Sequence, residues 1–213
     1  MTSLHSCSRT RSLALALLLV TTGVAHATVA EFDNLPGFLA ALGPNSAVET
    51  FDGLTPDAGI PSPLTFSPGI FSFSASSAEF YNGDLGGGDV MFSTTNQDDP
   101  IVFTMLSANV FAIGGYFWNT DVNFGTVAGT VVLALNDGTT VNLDSSGPGT
   151  FYGFVSDTPI TSLTVTPASG AYATVNNLHL ADSPADVPEP ATAFVMIAGL
   201  AALAFAGRRL ARR

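Results

Sequence analysis

Val131-Val-Leu-Ala-Leu135, Asn136-Asp137-Gly138-Thr139 and Thr140-Val-Asn-Leu143 follow one another without a break, and the fold is read from them. The two outer runs alternate about every second position, the period of a strand that buries one face. Asn-Asp-Gly-Thr between them reads as a hairpin turn, because glycine accepts the positive φ such turns need. The same alternation recurs upstream in Phe71-Ser-Phe-Ser74 and downstream in Ile160-Thr-Ser-Leu-Thr-Val-Thr166. Glycine and proline punctuate nearly every gap, and Pro36 to Leu42 is the one helical candidate. Counting runs from residue 28 to 182 gives about ten strands, the spacing of a sandwich or barrel. No strand–helix alternation signals a parallel sheet. The expected fold is all-β, an antiparallel jelly-roll-like β-sandwich.

Charge is arranged by position. The chain has 213 residues, with six basic side chains against seventeen acidic ones. The basic ones are Arg9 and Arg11 near the start and Arg208, Arg209, Arg212 and Arg213 at the end; there is no lysine. Every carboxylate, from Glu31 to Glu189, falls in the cation-free interval between them. Those carboxylates must be solvated, hydrogen-bonded or metal-bound, since no lysine or arginine can pair with them. The same lack removes the side chains that neutralise phosphate, so nucleic acid is excluded as a partner. The one cysteine, Cys7, precedes the domain, which therefore has neither disulfide nor thiolate chemistry.

Both ends are apolar and arginine-flanked. Arg9 and Arg11 precede Leu13 to Val20, and small and polar residues then lead to Ala25-His26-Ala27. That is the layout of a signal peptide over residues 1–27, handled by the Sec translocon and cut by signal peptidase after Ala27, with Ala25 and Ala27 forming the A-x-A site. Residues 28–182 form the β domain. Residues 183–190 form a linker ending in Val187-Pro188-Glu189-Pro190, and 191–207 are uncharged and mostly apolar. A helix over that last segment spans about 26 Å, the lower limit for a membrane core of about 30 Å. The basic tail 208–213, with Arg208, Arg209, Arg212 and Arg213, then stops on the cytoplasmic side. The expectation is a single transmembrane helix in the precursor.

Val187-Pro188-Glu189-Pro190, an apolar segment containing Gly199-Leu200 and a terminal arginine cluster together resemble the PEP-CTERM sorting signal of exported proteins in Gram-negative bacteria. The resemblance implies a substrate of exosortase, a membrane transpeptidase-like enzyme, with the mature form at the cell surface or outside the cell. The middle of the chain also resembles the β-sandwich domains that such proteins often carry. The residues concerned are Glu49-Thr-Phe-Asp52, Phe111-Ala-Ile-Gly-Gly115, Phe151-Tyr-Gly-Phe-Val155 and Val175-Asn-Asn-Leu178. Those domains often carry an aspartate where this chain has Asn176.

Candidate chemistry is sparse. Beyond residue 27 the only histidine is His179, with no nucleophile motif beside it, so the chain reads as a non-enzyme. The alternative is a secreted polysaccharide hydrolase using paired carboxylates, although the sequence selects no pair. Calcium is the cofactor that the available oxygen ligands suit. Asn82, Asp84 and Asp89 lie on a glycine-rich stretch, and Glu49 and Asp52 could meet Asn176 or Asn177 if the first and last strands are neighbours. Each acidic group has the plainer reading of a solvated turn. In Val110 to Trp118, alternation puts Tyr116 and Trp118 on the face opposite Phe111, Ile113 and Phe117. Residues two apart lie about 6.6 Å from each other, a spacing for sugar-ring contact with Asn119 and Asp121 nearby. The plainer reading packs Tyr116 and Trp118 beneath a loop or second layer. The function expected is a structural or glycan-interacting surface protein, with extracellular polysaccharide as partner.

Overall fold

The computed structural model describes residues 28–184. The signal peptide with Ala25 and Ala27, the Val187–Pro190 motif, the apolar segment 191–207 and the arginine cluster 208–213 lie outside the described residues. Among the described residues no helix is long and apolar enough to cross a membrane.

The chain runs β1 (Val29–Phe32), α1 (Leu35–Ala40), β2 (Ser46–Glu49), β3 (Ala58–Pro61), β4 (Leu64–Phe66) and β5 (Phe73–Ser76). It continues with β6 (Glu79–Gly86), β7 (Asp89–Thr94), β8 (Ile101–Met105), β9 (Ala112–Thr120) and β10 (Thr126–Val127). The remaining strands are β11 (Gly129–Leu135), β12 (Thr140–Ser145), β13 (Phe151–Ser156), β14 (Ser162–Thr166) and β15 (Tyr172–Ala181). More strands form than the sequence alternation counts. Several, such as β4 with 3 residues and β10 with 2, are too short to show a period.

Nine strands make one sheet in the order β1-β13-β9-β15-β7-β6-β3, with β10 added on β9 and β2 on β15. Six make the other, β12-β11-β14-β8-β5-β4. The pairings are antiparallel throughout. From β7 onward the chain crosses repeatedly between sheets, since β7, β9, β13 and β15 lie in the larger and β8, β11 and β14 in the smaller. One buried cluster takes side chains from both: Phe92, Phe117, Phe154 and Val175 meet Phe73, Phe103, Leu133 and Leu163. The core is therefore a single apolar layer between the two sheets, rich in phenylalanine, and it holds without a disulfide. The founding hairpin is present as read. β11 and β12 pair across Asn136–Thr139, Gly138 takes φ 92°, and Asp137 Oδ1 accepts from the Thr139 N–H at 2.8 Å.

A second, smaller cluster lies apart from this core, where α1 packs on β13. Asn34 caps the helix by accepting from the Gly37 N–H at 2.8 Å, and Pro36 sits in the first turn, where its missing N–H costs nothing. Phe38 is fully buried over Gly114 of β9 and Gly153 of β13. A Cβ on Gly153 would lie 2.5 Å from Phe38 Cδ2, so these glycines make the room for the ring. β1 is fastened to β13 by the Tyr152 hydroxyl, which donates to Glu31 Oε2 at 2.7 Å. Burial, and then the Glu31 carboxylate, push the Tyr152 phenol up to about 12, so it stays a donor.

Candidate functional site

A hairpin loop builds the wall of one cleft. β9 ends at Thr120 and β10 folds back on it, Thr126 opposite Thr120 and Val127 opposite Asn119. The connection is Asp121-Val-Asn-Phe-Gly125. Asp121 closes it: its N–H donates to the Gly125 carbonyl at 2.8 Å, and its Oδ1 accepts from the N–H groups of Asn123 and Gly125, each at 2.8 Å. The Phe124 N–H donates to the Asp121 carbonyl at 3.0 Å. These bonds hold Phe124 at φ 60°, a left-handed conformation that costs a bulky residue about 1–3 kcal/mol and persists only where the surroundings impose it.

So held, Phe124 reaches across the sheet to β6. Its ring stacks on Tyr81 with centroids 5.4 Å apart and planes 26° from parallel. Tyr81 is fixed in turn by its hydroxyl, which donates to the Asp57 carbonyl at 2.9 Å. With Tyr172 at the start of β15, Asp121, Val122, Thr94 and Thr95, these residues line a cleft of about 270 Å³. Thr95 Oγ1 has no hydrogen-bond partner among the described residues. On the strands between, a row of buried hydroxyls runs through Ser93, Thr174 and Thr120, with oxygens 2.9 and 2.8 Å apart. The cleft thus combines aromatic walls, hydroxyls and one carboxylate. Such a lining suits a small polar ligand with an apolar face, a sugar ring among them.

The cleft lies at one end of the sandwich and the two ends of the described segment at the other. Tyr172 begins β15 and Ala181 ends it, ten residues or roughly 30 Å apart. At the Ala181 end the Phe111 N–H donates to the Ala181 carbonyl, Ser156 N–H to Phe111, and Thr28 and Asp157 bond each other. Leu42 bridges to Pro184 there. Thr28 and Pro184, the first and last described residues, line one shared apolar groove.

The sequence candidates distribute unevenly. Of the four proposed for carbohydrate, Asp121 alone reaches the cleft. Trp118 is 1% exposed and Asn119 fully buried, so neither offers a surface to a ligand. Asn119 instead accepts from the Ala168 N–H at 3.0 Å. Tyr116 packs edge-on against Phe151 beside α1, the second-layer packing of the plainer reading. The stretch from Asn82 to Asp89 forms the β6–β7 hairpin, turning through Gly86, Gly87 and Gly88, all at positive φ. Asn82 is buried and donates to Thr55, Asp84 accepts from Gly86 N–H, and Asp89 accepts from Asn176 at 2.8 Å. β2 does pair with β15, bringing Glu49 opposite Leu178. There Glu49 accepts from the Phe51 N–H and Asp52 from the Val90 N–H, each at 2.9 Å. These two carboxylates brace Phe51, a fully buried core residue at φ 64°. Among the described residues no three His, Cys, Asp or Glu side chains group to hold a metal. His179 is buried against Phe38 and Phe151, ring centroids 6.2 Å away, and burial pulls its pKa below 6.5. Tyr81, Phe124 and Tyr172 escaped the sequence reading because they come from three segments that only strand register brings together.

The fold and cleft define an all-β, two-sheet domain with a ligand-sized recess remote from the two ends of the described segment. Residues 186–213 match the family model of the PEP-CTERM protein-sorting motif, so the chain carries that motif on the residues that suggested it. The motif implies an exported precursor that exosortase recognises. No curated protein matches the chain. Among solved structures, an exo-β-1,3-galactanase from Phanerochaete chrysosporium, crystallised with β-1,3-galactotriose, matches at 12% identity and a TM-score of 0.30. The match covers 59% of this chain and 29% of that one, and a likeness of that grade carries no argument.

Proposed function

We propose that this chain is an exported surface or extracellular-matrix protein, sorted through its Pro-Glu-Pro tail, whose β domain binds extracellular glycan without cleaving it. Export through the Sec translocon leaves Thr28 as the first residue. The apolar segment 191–207, stopped by the arginines that follow, holds the precursor in the inner membrane until exosortase acts. The repeated crossing between sheets supports a jelly-roll-like sandwich as the carrier. The observation that carries the reading is the separation of the aromatic cleft from the last described residue before the tail. Thr28 and Pro184 share one end of the sandwich and Tyr172 marks the other, so the point where the tail departs is clear of the cleft.

Binding is favoured over hydrolysis by the lining. Asp121 is the cleft's one carboxylate, and its Oδ1 already accepts two backbone bonds, whereas glycosidases use a carboxyl pair astride the scissile bond. Intact-mass measurement on protein recovered from producing cells tests the sorting half. The expected species starts at Thr28 and lacks the arginine tail; recovery of the whole 213-residue chain from cytosol would overturn it. Retention of that protein on purified extracellular polysaccharide, without release of shorter fragments, tests the binding half.

A further inference from the structure

We infer that the cleft walled by Tyr81, Phe124 and Tyr172 is a subsite for one ring of an uncharged polysaccharide. The inference rests on the glycan-binding reading and adds the place and the class of ligand. First, Phe124 lies outside both buried clusters, yet its backbone is forced to φ 60° by the Asp121 bonds. One part of the ring packs on Tyr81 and over Gly83 beside Met91, and the part left exposed lines the cleft. Strain of this kind tends to be kept where a site must be preorganised. Second, an aromatic wall packs on the C–H face of a sugar ring while the ring's hydroxyls need polar partners. Asp121 keeps one in reach, because its backbone bonds run to Oδ1 and leave Oδ2 to accept. A cleft of about 270 Å³ lies just below the usual range of about 300–1,000 Å³ for small-molecule sites, the size of a single ring.

Third, charge selects the class. Residues 28–184 contain no lysine or arginine, and their one histidine is buried. A uronate, sulfate or phosphate group entering the cleft would meet Asp121 with no side-chain cation to offset it. Neutral sugars escape that repulsion.

The test uses the processed protein recovered from producing cells, with Phe124→Gly and Tyr172→Ala variants, in affinity electrophoresis. Gels contain dextran, mannan or galactan, and in parallel polygalacturonate or dextran sulfate. Glycine adopts the φ of Phe124 freely, which offsets part of the chain entropy it adds and the Tyr81 stacking it removes, and a cooperative melt of Phe124→Gly checks that the variant is folded. At least one neutral polymer should retard the protein. Phe124→Gly should weaken that interaction about tenfold, the scale on which a well-packed aromatic contributes. Leu106→Ser should leave it unchanged, because Leu106 is 57% exposed beside Ser72 and Met105 at the tail-bearing end. Neutral binding that survives both aromatic changes would overturn the site and leave the glycan reading standing. Retardation by the polyanions instead of the neutral polymers would overturn the ligand class. No retardation by any polymer would overturn site and glycan reading together.

Discussion

A single methyl group tests how α1 is seated. Gly153→Ala places a Cβ 2.5 Å from Phe38 Cδ2 and 2.8 Å from Cε2, on a ring with no exposed surface to retreat to. Overpacking of this kind costs about 1–3 kcal/mol, and urea melts should show it. Phe38→Leu should rescue part of the loss, so that the double variant is less destabilised than the sum of the singles; strict additivity would contradict the contact. His179 gives a second residue-scale test, through pH. Its folded pKa lies below the unfolded value of 6.5, because burial disfavours the charged ring. As pH falls through about 6.5, the unfolded chain takes up this proton before the folded one. The contribution is complete above that pH and is lost below it. Urea midpoints at pH 7.5 and 5.5 should therefore fall for the natural protein and fall less for His179→Gln, and equal declines would contradict the assignment. The burial of His179 was legible, since it stands among the apolar strand residues Leu178 and Leu180. Trp118 misled, because alternation fixes a face but not whether that face is open. Trp118 lies opposite Thr174 of β15, a strand far away in sequence.

Elements whose alternation runs unbroken were legible, and those whose alternation is interrupted were not. The β11–β12 hairpin carries both strands and its turn in one stretch, and it forms as read. The β6–β7 hairpin is just as local, but Gly83, Asp84 and Gly86-Gly-Gly88 interrupt the alternation that would have marked its strands, so it reads as a glycine-rich ion loop. A consequence is testable at this scale. The carboxylates of Asp52, Asp84 and Asp89 already accept protein hydrogen bonds, so EDTA should leave the melting midpoint unchanged. A rise of several degrees with added calcium would show a site that these bonds give up, because ion binding confined to the folded state stabilises it. The other hairpin offers a complementary test. Asn136 Oδ1 accepts from the Thr161 N–H at 2.7 Å and the Ser162 N–H at 3.3 Å, pinning the β11–β12 turn against β14. Asn136→Ala should cost about 1 kcal/mol, the net worth of an ordinary hydrogen bond, and should speed amide exchange at Thr161 first. Uniform acceleration across the domain would argue against a local pin.

For the whole molecule, the decisive feature is an asymmetry legible from the first residue to the last: cations at the two ends and none between. The described domain holds all of the chain's seventeen carboxylates except Asp186 and Glu189, and no lysine or arginine opposes them. Most globular domains carry both signs, and added salt screens their attractions along with their repulsions. Here, at neutral pH, the interactions between exposed charges are repulsive, and folding brings those charges closer together than they stand in the unfolded chain. Sodium chloride should therefore stabilise this domain. Between about 0.01 M and 0.1 M the screening length falls from about 30 Å to about 10 Å, which is short against the roughly 30 Å run of β15. The melting midpoint at pH 7.5 should climb by a few degrees over that interval and then level off. Chloride is the salt to use, because sulfate would strengthen apolar burial independently of charge. A midpoint that fell on adding sodium chloride would mean that attractive electrostatics hold the fold together, and a domain without lysine or arginine has no such side chains to supply them.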